Sequence, residues 1–250
     1  MLELPSPTVL SLVAGAFLLA GFVKGVAGMG LPSVAIGLLT LSMAPAQAAA
    51  VLFFPALSTN LWQFFAGPAL VEVLRRFALT MACLCAGIWA SFGMMASDSA
   101  RLAAFGLGAV LAVSSGLNLA AVRFSVPRRH EWWLSPLIGL ATGLVTGATG
   151  AFFFPAVPYM AALEIDKERL VQTIGLLTIV ASLTLGAALY LQGSFGMSLA
   201  GMSLFAVLPA FIGMYAGQRL RRHVSEATFR RIFHTGLLLL GLYLAIRNFP

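Results

Sequence analysis

Lys24 is the one cation of this chain set inside a long apolar run, and it stands in a glycine cluster, Gly21-Phe-Val-Lys24-Gly25-Val-Ala-Gly28-Met-Gly30-Leu-Pro32. An ammonium at membrane depth costs about 2.5 to 3.5 kcal/mol, so it requires a partner or a water-filled cavity. All eight carboxylates, Glu3, Glu72, Asp98, Glu131, Glu164, Asp166, Glu168 and Glu226, fall at the ends of apolar runs or between them. None is placed to pair with Lys24. The chemistry this suggests is the holding of a small anion. The competing reading is structural: Lys24 lies about sixteen residues into its run and could snorkel to a headgroup or contact backbone carbonyls.

The cluster has a second copy, Gly143-Leu-Val-Thr146-Gly147-Ala-Thr149-Gly150-Ala-Phe-Phe-Phe-Pro155. Glycine and proline release backbone N–H and C=O groups that lipid cannot satisfy, so both clusters belong where the chain lines a protein-enclosed cavity. A helix restarting near Pro32 or Pro155 begins with proline where its missing N–H costs nothing. Its first turn offers free N–H groups and a positive dipole end, which suits an anion. Gly25, Gly28, Gly30, Thr146, Gly147, Thr149 and Gly150 are therefore candidate substrate contacts, with Thr146 opposite Lys24 making the site asymmetric. Downstream of Pro55, Asn60 and Gln63 share a helix face at three-residue spacing, beside Ser58 and Thr59. The second half offers Gln172, Thr173, Thr178, Ser182 and Thr184. Each could instead be interhelical glue, worth about 0.6 kcal/mol.

These residues must be carried by a membrane protein. Charged residues make up 9% of the chain and hydrophobic ones 60%, against roughly 25% charged in a soluble domain. The net charge of +7 is loop charge, which orients a membrane chain and gives no reason to expect nucleic acid. Cys83 and Cys85 have neither redox nor zinc spacing, and His130, His223 and His234 lack metal-ligand company; no cofactor and no metal are expected.

The duplication extends beyond the glycines. Gly21, Gly25 and Gly28 recur 122 residues later, Gln47 recurs at Gln172 and Gly93 at Gly217. This divides the chain into repeat 1 at 1–126 and repeat 2 at 127–250. Six runs of about 20 residues read as spans: 46–66, 77–96, 102–122, 170–191, 197–218 and 232–246. Two runs are too long for one upright crossing: 8–44 has 37 residues and 134–163 has 30. A re-entrant hairpin broken at the glycines fits both lengths.

Loop charge favours the return. If each long run crosses once, the cations divide six to eight between the faces. If each returns, Arg75, Arg76, Arg123, Arg128, Arg129, Lys167, Arg169, Arg219, Arg221, Arg222, Arg230 and Arg231 share one face, leaving Arg101 and Arg247 on the other. The positive-inside tendency then makes the rich face cytoplasmic and puts both termini in the periplasm. The fold class is an all-α polytopic membrane protein of two inverted repeats, each a broken hairpin plus three spans, a transporter architecture.

The pattern Lys24-Gly25-x-x-Gly28-x-Gly30-x-Pro32, then Pro55 and Asn60-x-x-Gln63, then Gly143-x-x-x-Gly147-x-x-Gly150 with Pro155, resembles the sulfite exporter family of the TauE/SafE type, or toluene-sulfonate uptake permeases. The resemblance implies an inner-membrane transporter for sulfite, thiosulfate, sulfoacetate or another small organic anion.

On this reading the protein is no enzyme: the apolar runs hold no nucleophile with a base, no acid pair and no metal ligands. It is expected to be a secondary carrier for a small anion working by alternating access. A passive anion channel and a carboxylate carrier are the alternatives. The expected partners are that anion and the bilayer, and the chain could pair as a homodimer.

Overall fold

Proline and glycine set the helix limits. Pro45 opens its helix, and the Ala44 N–H before it donates to the Gln47 side-chain oxygen at 3.2 Å. Asp166 caps another by accepting from the Arg169 N–H at 2.9 Å. The computed structural model describes residues 7–95, 99–120, 125–163, 165–221 and 225–249. Its helices are α1 (Pro7–Ala27), α2 (Leu31–Leu39), α3 (Pro45–Phe65), α4 (Leu70–Ser91, extended by a 3₁₀ turn at Phe92–Met95), α5 (Ala100–Leu119), α6 (Arg128–Thr149), α7 (Ala156–Ala162), α8 (Lys167–Leu191), α9 (Met197–Leu220) and α10 (Glu226–Arg247). No strand occurs among the described residues.

Seven of these are long and apolar enough to cross a membrane: α1, α3, α4 with its 3₁₀ turn, α5, α8, α9 and α10. The six expected spans are all helices, but two begin earlier than the apolar pattern places them. α4 starts at Leu70 and α10 at Glu226, because Glu72, Arg75, Arg76, Arg230 and Arg231 continue their helices as charged overhangs.

Small residues let neighbouring helices approach closely, and their partners give the directions. On the α1–α9 seam, Gly21 abuts Ala210 while Gly25 abuts Met214 and Gly217. On the α4–α6 seam, Gly139 meets Thr80, Gly143 meets Leu84 and Gly147 meets Ile88. Both pairs are parallel. α4 and α8 are parallel too, joined by Glu72 with Arg169 and by Cys85 with Thr184. α3 and α8 are antiparallel: Gln172 donates to the Phe64 carbonyl at 2.8 Å, and Gly186 lies on Phe53. α5 and α10 are antiparallel through Gly108, Gly241, Ala112 and Ala245.

With short turns joining α3 to α4 and α8 to α9, α1 and α3 begin at one end of the bundle, and α6 and α8 at the other. Each glycine-broken pair returns to the end it came from. Arg75, Arg76, Arg128, Arg129, Arg169, Arg219, Arg221, Arg230 and Arg231 then share one end, while Arg101 and Arg247 lie at the opposite one. At the rich end Arg76 is bidentate to Glu131 at 2.6 and 2.7 Å, and Arg169 meets Glu72 at 2.7 Å and Asp166 at 3.0 Å. These pairs fasten α4, α6 and α8 together. Arg123, Arg222 and the side chain of Lys167 lie outside the described residues.

Candidate functional site

Both breaks turn on left-handed glycines. α1 ends where the Gly28 N–H donates to the Lys24 carbonyl at 2.8 Å. Gly28 and Gly30 have φ of 80° and 104°, and Gly30 caps α2, with Pro32 in its first turn. α6 ends the same way, the Gly150 N–H donating to the Thr146 carbonyl at 2.7 Å with φ of 76°. A side chain with a Cβ pays about 1 to 2 kcal/mol for that conformation.

The last turn of α1 carries Lys24, which is 3% exposed. Its Nζ donates to Thr59 Oγ1 at 3.0 Å and to Asn60 Oδ1 at 2.9 Å. Both acceptors are held by their own helix: the Thr59 hydroxyl donates to the Pro55 carbonyl at 2.7 Å and the Asn60 amide to the Ala56 carbonyl at 2.7 Å. Pro55 has no N–H to give, and the preceding Phe54 N–H turns to the Ser203 hydroxyl at 2.9 Å. Gln63, one turn beyond Thr59, donates to the Gly28 carbonyl at 2.6 Å.

Two of the three ammonium N–H groups are thus used on neutral acceptors. No carboxylate among the described residues pairs with Lys24. Beside it lies a cavity of about 480 Å³. Six of the expected residues line it: Lys24, Gly28, Gly30, Asn60, Gln63 and Thr178.

The other expected residues lie elsewhere. Gly25 is packed into the α9 backbone, and Gly147 against Ile88 and Ser91 of α4. The Thr146 hydroxyl donates to the Ala151 carbonyl at 3.0 Å; Thr149 donates to the Val145 carbonyl at 2.7 Å and accepts from the Ala151 N–H at 3.2 Å. Gly150 lies on Ile36, near Ala49 and Met95. The Ser182 hydroxyl is buried with no partner among the described residues.

The two breaks do not face each other across one plane. Gly28 lies beside Gln63 while Gly150 lies beside Ala49, positions 14 residues apart on α3, about 21 Å along a helix axis. The cause is arm length. α1 and α6 have 21 and 22 residues, so each carries its break most of the way through the bundle instead of stopping halfway.

Sequence reasoning missed much of the wall. Ser33, Ser114 and Asn118 add polar groups, Phe152, Phe153, Phe229 and Phe233 add rings, and Arg221, Arg230 and His234 stand on the same lining. Ser114 and Asn118 are four apart, one face of α5, a signal that was present. The apolar pattern of the last span starts only at 232, so Arg230 falls before it although the helix already runs from Glu226. Among the described residues no cluster of His, Cys, Asp or Glu could hold a metal.

The site is a lysine buried beside a largely apolar cavity at a helix break, within a multi-pass helical bundle. The family model for the sulfite exporter TauE/SafE matches residues 13–244. The chain belongs to that family of membrane transporters. No curated protein and no solved structure matches it.

Proposed function

We propose that the protein is a secondary transporter that carries a small anion, a sulfur oxyanion or organosulfonate, across the inner membrane by alternating access. One observation carries this reading: the Lys24 ammonium is buried beside a 480 Å³ cavity with neutral hydrogen-bond partners and no carboxylate among the described residues. Burying a charge is costly unless it is paired, and a bound anion supplies the missing charge. The start of α2 adds Gly30, Pro32 and Ser33 to the wall, so the positive end of a helix dipole supports Lys24.

Alternating access is supported by the unequal state of the two breaks. Gly28 has open space around the position of a Cβ, whereas Gly150 is packed on Ile36. The cavity reaches Arg221 and Arg230 at the cation-rich end. Under the positive-inside tendency that end is cytoplasmic, which makes this an inward-facing form with both termini periplasmic.

Reciprocal packing supports reading residues 1–126 and 127–250 as inverted repeats: α1 lies on α9 as α6 lies on α4, and α3–α8 and α5–α10 pair across the halves. Such halves can rock about a fixed site. A thermal-shift series with sulfite, thiosulfate, sulfoacetate, taurine and carboxylate analogues tests the reading, because a ligand of the folded state raises its apparent stability. Stabilisation by sulfur oxyanions or sulfonates is expected; stabilisation by carboxylates alone would redirect the substrate class.

A further inference from the structure

Among the described residues, the charged side chains on the cavity wall are Lys24, Arg221 and Arg230, with no Asp or Glu beside them. Lys24 is at the buried floor; Arg221 closes α9 and Arg230 lies in the second turn of α10, both exposed at the cation-rich end. Five other arginines have partners, and none of the five is on this wall. Arg76 and Arg169 hold carboxylates, Arg101 and Arg247 hold the carbonyls of Phe249 and Leu41, and Arg219 is bonded to Tyr215. Arg221 and Arg230 make no ion pair among the described residues.

Between mouth and floor the wall is aromatic. Phe229 and Phe233 stack with ring centroids 6.2 Å apart and planes 9° from parallel. His234 sits one turn deeper than Arg230, its Nδ1 buried without a partner among the described residues. Low-dielectric walls around charges of one sign focus the field along the opening.

We propose that Arg221 and Arg230 form an outer anion station at the mouth of the cavity, which takes up the substrate's charge before it passes to Lys24. The proposal rests on the anion-carrier reading above and adds to it a second binding position and its residues. The outer station is screened by salt because it is exposed. Lys24 is not, because it is buried and beyond easy reach of counterions. A merely structural Arg221, complementing the end of α9, would alter stability but not the salt dependence of binding.

Equilibrium binding of labelled sulfite, thiosulfate and methanesulfonate to the purified full chain, at low and high ionic strength, separates the two stations. The wild type should bind at least one of them, more weakly as salt rises. The Arg221→Gln/Arg230→Gln double variant should bind it about tenfold more weakly at low ionic strength, and match the wild type at high ionic strength. Arg221→Lys/Arg230→Lys should restore the salt dependence. Arg128→Gln/Arg129→Gln, equal charge removed from the same end but off this cavity, should leave binding unchanged.

A glutamine double variant with wild-type affinity and salt dependence overturns the outer station, as does an equal effect from Arg128→Gln/Arg129→Gln. Unchanged binding in Lys24→Gln, with the arginine effect intact, overturns the carrier site instead. Absence of binding of all three anions by the wild type overturns both.

Discussion

Gln63 donates its side-chain amide to the carbonyl of Gly28 at 2.6 Å, fastening the tip of the first hairpin to α3 one turn from the acceptors of Lys24. This is a spanning helix supplying the hydrogen bond that a broken helix lacks. Gln63→Leu leaves that carbonyl unsatisfied, which costs about 1 to 3 kcal/mol. A thermal midpoint lower by a few degrees is expected, together with weaker anion binding as the tip loosens. An unchanged midpoint would show that the tip is held by its glycines alone.

The two break glycines should respond differently to size. A Cβ at Gly28 meets nothing within 4 Å, whereas one at Gly150 meets Ile36 directly and Ala49 and Met95 at 3.5 Å. Both replacements pay the left-handed backbone cost. Gly28→Leu is expected to purify as a single species and fail to transport, because its side chain enters the cavity. Gly150→Leu is expected to lose stability, seen as poor yield and aggregation on size exclusion. Wild-type transport by Gly28→Leu would remove the first tip from the substrate path.

Gly143 packs against the backbone of Leu84 and Gly87, while Gly15 has nothing within 4 Å. Gly143→Val should therefore separate α6 from α4 and lower the thermal midpoint in detergent by many degrees. Gly15→Ala should be neutral or slightly stabilising, since alanine is the better helix former. Equal effects at the two positions would contradict the parallel α4–α6 seam.

Fusions to the C-terminus test the orientation. A periplasmic alkaline phosphatase reporter should be active there and a cytoplasmic fluorescent reporter silent. The reverse pattern would turn the bundle over and place the cavity mouth in the periplasm.

How much of this was legible in the sequence depends on which force set each feature. Glycine, proline and apolar run length gave the broken hairpins and the spans, because lipid forbids unsatisfied backbone. Loop arginines gave the returning path. Asn60 and Gln63 were legible as a polar face, and both line the cavity, though the oxygen of Asn60 faces Lys24 while its amide is spent on Ala56. Thr146 and Thr149 match Lys24 and its surroundings in the motif, yet both close onto their own helix end. Identical spacing could not report the stagger of about 21 Å along α3 between the positions the two breaks contact, which arises from arm length and from the partner helix each arm packs on. Arg221 and Arg230 line one cavity because the ends of α9 and α10 both reach it, a tertiary relation no local pattern encodes.

The central claim is that the charge of Lys24 holds the transported anion. Its direct test is uptake of labelled sulfite and thiosulfate into proteoliposomes containing wild type, Lys24→Gln or Lys24→Arg, each verified as monodisperse. Loss of a charge-assisted hydrogen bond is worth about 1.5 to 3 kcal/mol, or roughly ten- to a hundredfold in affinity. Lys24→Gln is therefore expected to raise the half-saturating concentration by that factor or abolish uptake, while Lys24→Arg, which keeps the charge but not the shape, retains part of it. Uptake by Lys24→Gln with the affinity and rate of the parent would contradict the account.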